Sequence, residues 1–159
     1  MAVSKIFGAA VKRREDPRLI TGAGTYTDDL KLPDLAYAAF ARSPYGHARI
    51  KRIDATAARA VPGVVAVLTG QDLVGKVGNI PTAWLIPGAD LKTPAHPPLA
   101  VDTVRYTGDA VAVVVADSRS AARDAAALIE VDYEPLPAVV DAEKAVEPGA
   151  PQLHSDVPN

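Results

Sequence analysis

Two kinds of hydrophobic pattern recur along the chain and predict its strands. Short apolar runs, typical of buried strands, occupy 37–41, 64–69 and 110–116. Strict alternation of polar and apolar residues, typical of a strand with one exposed face, occupies 47–53 and 129–134. Since 110–116 is the most hydrophobic of these runs, we predict that it forms a central strand. We expect the first run to be covered on both faces.

Two main helices are predicted between these strands. The first covers 55–61, and Asp54 is expected to act as its N-cap by accepting backbone N–H groups. The second is rich in alanine, begins after Asp117 or Ser118 and runs to about Leu128. Strands and helices that follow one another in this order indicate one α+β domain.

A tight corner is predicted between the first two strands. Pro44 fixes its own φ and keeps Ser43 out of the helical region, while Gly46 can adopt a positive φ. We therefore predict that the two strands form a hairpin. Four cations cluster around it, namely Arg42, Arg49, Lys51 and Arg52.

Composition excludes several classes of protein. The 159 residues suit one domain, and the net charge of −2 argues against a nucleic-acid binder. The absence of cysteine excludes disulfides, thiolate zinc sites and iron–sulfur ligation by this chain, and it favours a cytoplasmic location. No apolar run approaches the roughly 18 residues of a membrane span.

Two segments have no clear hydrophobic period. Residues 75–98 are predicted to be a long loop, either an arm that lies on another surface or a mobile insert. Trp84 within it is typical of an interface anchor, although it could equally cover the core of this domain. The basic run 12–18 is either a solvated turn or a surface that binds carboxylates of a partner through arginine.

Five segments together resemble one known family. They are RREDPRLITG at 13–22, RSPYGHARI at 42–50, PGVVAVLT at 62–69, GDAVAVVVA at 108–116 and IEVDYEPLP at 129–137. In this order they resemble the amino-terminal part of the large subunit of molybdenum hydroxylases, the family of xanthine dehydrogenase, aldehyde oxidase and carbon monoxide dehydrogenase. The opening RRED favours the carbon monoxide dehydrogenase-like branch of the family. One departure is Gly108-Asp109-Ala110, where the family often has Gly-Glu-Pro or Gly-Gln-Pro.

The resemblance implies a fold and a domain organisation. It implies an α/β-hammerhead, with two β layers and two main helices, over residues 12–147. Residues 1–11 would be a flexible N-terminus, and 148–159 a linker toward molybdopterin-binding domains that this sequence does not contain. The chain is accordingly expected to be either a truncated piece or a separately encoded subunit.

The resemblance also implies where the chemistry lies. In such enzymes, molybdopterin is held by the other domains of the large subunit, and iron–sulfur and possibly FAD modules lie on partner chains. We therefore expect no catalytic, cofactor-binding or metal-binding residue in this chain. Its partners would be the remaining large-subunit domains and the iron–sulfur and flavin subunits, with no nucleic acid and no membrane span. A free-standing interaction module with the same fold is the alternative.

The hammerhead hypothesis predicts a docking surface at the charged corner. Its candidate residues are Arg42, Ser43, Pro44, His47 and Arg49, together with the more distant Trp84. His47 is expected to hold the corner by hydrogen bonds, and a place in a substrate channel is the alternative. The isolated domain is also expected to expose an apolar patch, because one face would normally pack on the rest of the subunit.

Overall fold

A computed structural model describes residues 8–82 and 88–157. The chain divides into two units, Met1–Leu35 and Ala36–Asn159. The first unit contains helix α1 (Asp16–Ile20) and a short 3₁₀ turn (Thr27–Asp29). The sequence predicted only a turn in this basic run, but Pro17 in the first helical turn favours a helix there.

The described residues of the second unit form two three-stranded sheets and four short helices. Its strands are β1 (Tyr37–Arg42), β2 (Ala48–Asp54), β3 (Val64–Thr69), β4 (Thr103–Val104), β5 (Ala110–Ala116) and β6 (Glu130–Pro135). Its helices are α2 (Thr56–Arg59), α3 (Gly70–Leu73), α4 (Arg119–Ala127) and α5 (Ala142–Ala145). The sheets have the strand orders β1-β5-β3 and β4-β2-β6, and all described strand pairs are antiparallel.

Strand β5 occupies the centre of the first sheet, as the hydrophobic pattern predicted. Helices α4 and α2 pack on one face of this sheet. The core between them is built from small side chains, with Val114 against Ala58 and Ala125. Alanine lets helix and sheet approach closely, so even a one-methyl change is felt here.

The second sheet has its own core, to which β5 also contributes. Val111 of β5 lies in a cluster with Ala48 of β2 and Val104 of β4. Ile50, Val131 and Tyr133 pack around it from the strands of the second sheet. Strand β6 is an edge strand with alternating exposure, which confirms the prediction for 129–134.

Three predictions for the corner region are wrong. Strands β1 and β2 do not form a hairpin, because each pairs within a different sheet. Strand β1 is not covered on both faces but alternates between half-buried and exposed residues, since helices cover only one face of its sheet. Gly46 does not adopt a positive φ, whereas Gly63 and Gly108 do, at φ of 86° and 93°.

The helix predictions were correct in type but not at every boundary. Ser118 is the N-cap of α4, and its hydroxyl accepts the N–H of Ala121. Asp54 instead ends β2, and Ala55 occupies the N-cap position of α2. The Asp54 carboxylate still accepts the Thr56 N–H at 3.0 Å, and this hydrogen bond lowers the pKa of Asp54. None of the described helices could span a bilayer, since the longest, α4, has nine residues.

A close approach between α3 and the chain before β4 requires glycine at position 70. A Cβ built on Gly70 would lie 2.2 Å from the carbonyl oxygen of Ala100, and this neighbour is backbone that cannot rotate away. At Gly78 a Cβ would meet no heavy atom within 4 Å.

We expect Gly70→Ala to lower the free energy of unfolding by about 1–3 kcal/mol, because the added methyl group must push two backbone segments apart. Urea unfolding monitored by circular dichroism measures this change. The matched control, Gly78→Ala, should change stability by no more than about 0.5 kcal/mol. Equal stability of the two variants would contradict the close approach.

Candidate protein interface

The corner between β1 and β2 is tied to the turn that precedes β5. Ser43, which is 2% exposed, donates its N–H to the carbonyl of Asp109 and accepts the N–H of Gly108, both at 2.8 Å. The hydroxyl of Ser43 accepts the N–H of Tyr45 at 3.0 Å. The exposed Pro44 lies between these two residues. Ser43 therefore joins the end of one sheet to the start of its central strand.

His47 ties the same corner to the end of β6. The residue is 8% exposed, and its Nδ1 lies 2.7 Å from the carbonyl oxygen of Pro137. Because a carbonyl oxygen only accepts, Nδ1 carries the proton and donates it. The carbonyl of His47 in turn accepts the N–H of Leu136 at 3.0 Å. His47 is thus joined to residues 136–137 by two hydrogen bonds, as expected if it holds the corner in place.

Three of the four cations at the corner have partners within the chain. Arg42 donates to the carbonyl of Gly108 at 2.8 Å and lies over the ring of Phe40. Arg49 pairs with Glu134 at 3.1 Å. Exposed pairs of this kind contribute little to stability.

Arg52 likewise pairs with Asp54. Much of the charge that distinguished this region in the sequence is therefore matched inside the domain. The docking role of Arg42, Ser43, Pro44, His47 and Arg49 stays a prediction. Trp84 lies outside the described residues.

One face of the first sheet presents apolar side chains that the helices do not cover. Val113 alternates along β5 with Val114, which faces α4, so the two side chains point to opposite faces. Its cross-strand partners are Phe40 and Leu68. We call this surface the open face and define it as Ala38, Phe40, Ala66, Leu68, Val113 and Val115. Each is at least partly exposed, and Phe40 is 47% exposed.

A cavity of about 260 Å³ lies near the start of β5. Its polar lining includes His96, Arg105, Tyr106, Asp109 and His154. The carboxylate of Asp109 accepts the Arg105 backbone N–H at 3.1 Å, which closes the turn before β5. The sequence indicated the turn through Gly108 but gave no sign of this carboxylate contact.

Arg105 also holds the last described segment. Its Nε donates to the carbonyl of Leu153 at 2.8 Å. Burial, with Arg105 nearby, lowers the pKa of the neighbouring His154. Asp109 and Arg105 are thus both engaged with backbone groups of the chain.

Among the described residues, no three histidine or acidic side chains are grouped so that they could hold a metal ion. The N-terminus of a helix is one place where backbone N–H groups can bind a phosphate. At α4, the longest described helix, the Ser118 hydroxyl already binds one of the N–H groups of the first turn.

Comparisons with known proteins agree with this architecture. A family model for the a/b hammerhead domain of aldehyde oxidase and xanthine dehydrogenase matches residues 21–137. The large chain of carbon monoxide dehydrogenase from Afipia carboxidovorans is 46% identical over 151 residues, which is 94% of this chain and 18% of that protein. The xanthine dehydrogenase molybdenum-binding subunit of Escherichia coli O157:H7 is 35% identical over 141 residues, covering 86% of this chain and 18% of that protein.

Solved structures give the same result. Quinoline 2-oxidoreductase from Pseudomonas putida 86 superposes with a TM-score of 0.82 at 44% identity, covering 94% of this chain and 19% of that one. The chain thus spans 18% of the length of both relatives named above. The comparisons confirm the resemblance and the α/β-hammerhead fold predicted from sequence. This chain therefore belongs to the aldehyde oxidase and xanthine dehydrogenase family, whose a/b hammerhead domain it contains.

Proposed function

We propose that this chain is a non-catalytic structural and assembly domain of a molybdopterin-dependent hydroxylase with a carbon monoxide dehydrogenase-like large subunit. The observation that carries the proposal is the open face. It is a row of apolar side chains across a sheet whose other face is covered by α4 and α2. A sheet face of this kind is typical of a surface that packs on another protein layer.

The relatives supply the context of this proposal. The chain matches 18% of the carbon monoxide dehydrogenase large chain, so most of that relative lies outside the match. In the complete enzyme, the other large-subunit domains would hold molybdopterin and carry out the reaction. Iron–sulfur and possibly FAD modules would lie on partner chains, and we expect the assembly to be cytoplasmic. The hammerhead would extend over 12–147, with 1–11 as a flexible N-terminus and 148–159 leading toward the cofactor domains.

The energetics favour apolar contacts over charged ones as the basis of docking. Fully burying a side chain of the size of Phe or Leu is worth about 1.5–3 kcal/mol, whereas an exposed ion pair is worth about 0–1 kcal/mol. Phe40 and Leu68 are side chains of this size, whereas Arg49 and Glu134 form an exposed ion pair. We therefore place the main docking energy on the open face, with the corner at its border.

The corner would hold the two sheets in one relative orientation when a partner binds to the open face. Ser43 bonds the turn at 108–109, His47 bonds the chain at 136–137, and both residues are almost fully buried. A partner that binds to β1 would therefore be connected to both sheets through the corner.

We expect Phe40→Asp to weaken association with the rest of a relative's large chain by about tenfold or more, because the charge would have to be desolvated in the interface. The 159-residue chain would be co-expressed with the Afipia carboxidovorans large chain that lacks the matching segment, and the fraction that co-purifies would be measured. Val140→Asp serves as the control, because Val140 is exposed but lies outside the open face.

Equal recovery with Phe40→Asp and with the unchanged chain would exclude the open face as the docking surface. Failure of the unchanged chain to associate would contradict the assembly role and favour a free-standing interaction module.

For His47, we expect His47→Ala to lower the free energy of unfolding by about 1–2 kcal/mol, because the Pro137 carbonyl loses its donor. His47→Asn should restore part of the loss, since its amide nitrogen can take the place of Nδ1. Urea unfolding of the three proteins measures this. If both variants were as stable as the parent, the structural interpretation of His47 would be wrong.

A further inference from the structure

Residues 8–35, which we call the arm, are locally ordered but bury none of their side chains. The hydroxyl of Thr21 donates to the carbonyl of Pro17 at 2.8 Å, and the N–H of Ala23 donates to the carbonyl of Arg18 at the same distance. These bonds close the chain behind α1. The arm therefore has a defined local shape without a core of its own.

The second half of the arm is ordered in the same local way. The carboxylate of Asp29 accepts the N–H of Tyr26 at 2.9 Å, and this bond caps the 3₁₀ turn. Because both halves are preformed, binding to a surface would cost little additional conformational entropy.

The arm exposes an unusual amount of apolar surface. Ile20 is 84% exposed and Leu32 is 63% exposed. The other large exposed apolar residues of the arm are Val11, Tyr26, Leu30 and Leu35. Scattered apolar residues are normal on a protein surface, but six in one short segment indicate a contact site.

Most of the arm's cations lie at one end, while Lys31 lies between Leu30 and Leu32. Lys12, Arg13, Arg14 and Arg18 lie within or just before α1. Arg13 pairs with Asp16 at 3.1 Å. The surface that receives this end of the arm should therefore offer carboxylates beside an apolar groove, since arginine binds carboxylates through its paired N–H groups.

The relatives indicate where such a surface lies. The match to the carbon monoxide dehydrogenase large chain covers 94% of this chain, which leaves fewer residues outside the match than the arm contains. Most of the arm is therefore matched in the relative, where the whole matched region is only 18% of the length. Because the arm has no core of its own, that large remainder is where we look for its partner.

We propose that the arm is a second docking element, which binds the part of a molybdenum hydroxylase large subunit that lies outside this chain. It would insert Ile20, Leu30 and Leu32 into an apolar groove with carboxylates at its border near Arg14 and Arg18. This inference rests on the proposed assembly function, and it adds a surface distinct from the open face.

The test uses the full chain with the double substitution I20D/L30D. Each variant is co-expressed with the Afipia carboxidovorans large chain that lacks the matching segment. We expect the co-purified fraction to fall about tenfold or more, as for loss of interface anchors. V146D is the matched control, because Val146 is equally apolar and is 74% exposed outside the arm. R14E/R18E should also weaken association, and should do so more at low salt than at high salt.

Two further measurements make the outcome decisive. Hydrogen exchange should slow in the arm of the unchanged chain when the complex forms, and urea unfolding of isolated I20D/L30D should match that of the parent. Full recovery of I20D/L30D, while the unchanged chain associates, would overturn the arm proposal alone. A loss of stability in the isolated variant would also overturn it, because these side chains would then pack within the chain itself. If the unchanged chain fails to associate, the assembly function fails as well.

Discussion

The structure depends on strand β5, because this strand supplies buried side chains to both cores. Val114 packs under α4 in the first core, and Val111 packs with Ala48 and Val104 in the second. Small residues around them, such as Ala125, allow helix and sheet to approach closely. The apolar side chains of the open face and the arm belong to neither of these two clusters.

Local sequence was sufficient to predict elements whose cause is local. The apolar run of β5, the alanine-rich α4 and its Ser118 cap all follow from composition over a few neighbouring positions. The corner was harder, since the partner of His47 lies 90 residues further along the chain and that of Arg49 lies 85 residues away. The spacing of hydrophobic residues indicates which face of a strand is buried, but it does not indicate which other strand is its partner. A hairpin was therefore a reasonable but wrong expectation for two strands that enter different sheets.

The difference between local and long-range contacts also applies to the candidate docking surface. A cluster of cations in sequence suggested an electrostatic docking surface, but most of these cations are matched by a carboxylate or a carbonyl of the domain. The apolar open face had no comparable signal, because its residues come from three strands that the sequence could not align. Only the family resemblance, carried by segments spread over the chain, predicted that a surface of this kind should exist. Physical pattern and resemblance thus contributed different parts of the account.

The central claim is that this chain braces a molybdenum hydroxylase and holds no cofactor itself. Its most direct test is the molybdenum and pterin content of the 159-residue chain, purified from a host that makes molybdopterin. Metal would be measured by mass spectrometry and pterin by the fluorescence of its oxidised form. We predict that both are far below one equivalent per chain, while the complex with the remaining large-subunit domains contains both. One equivalent of pterin or molybdenum on the isolated chain would contradict this account.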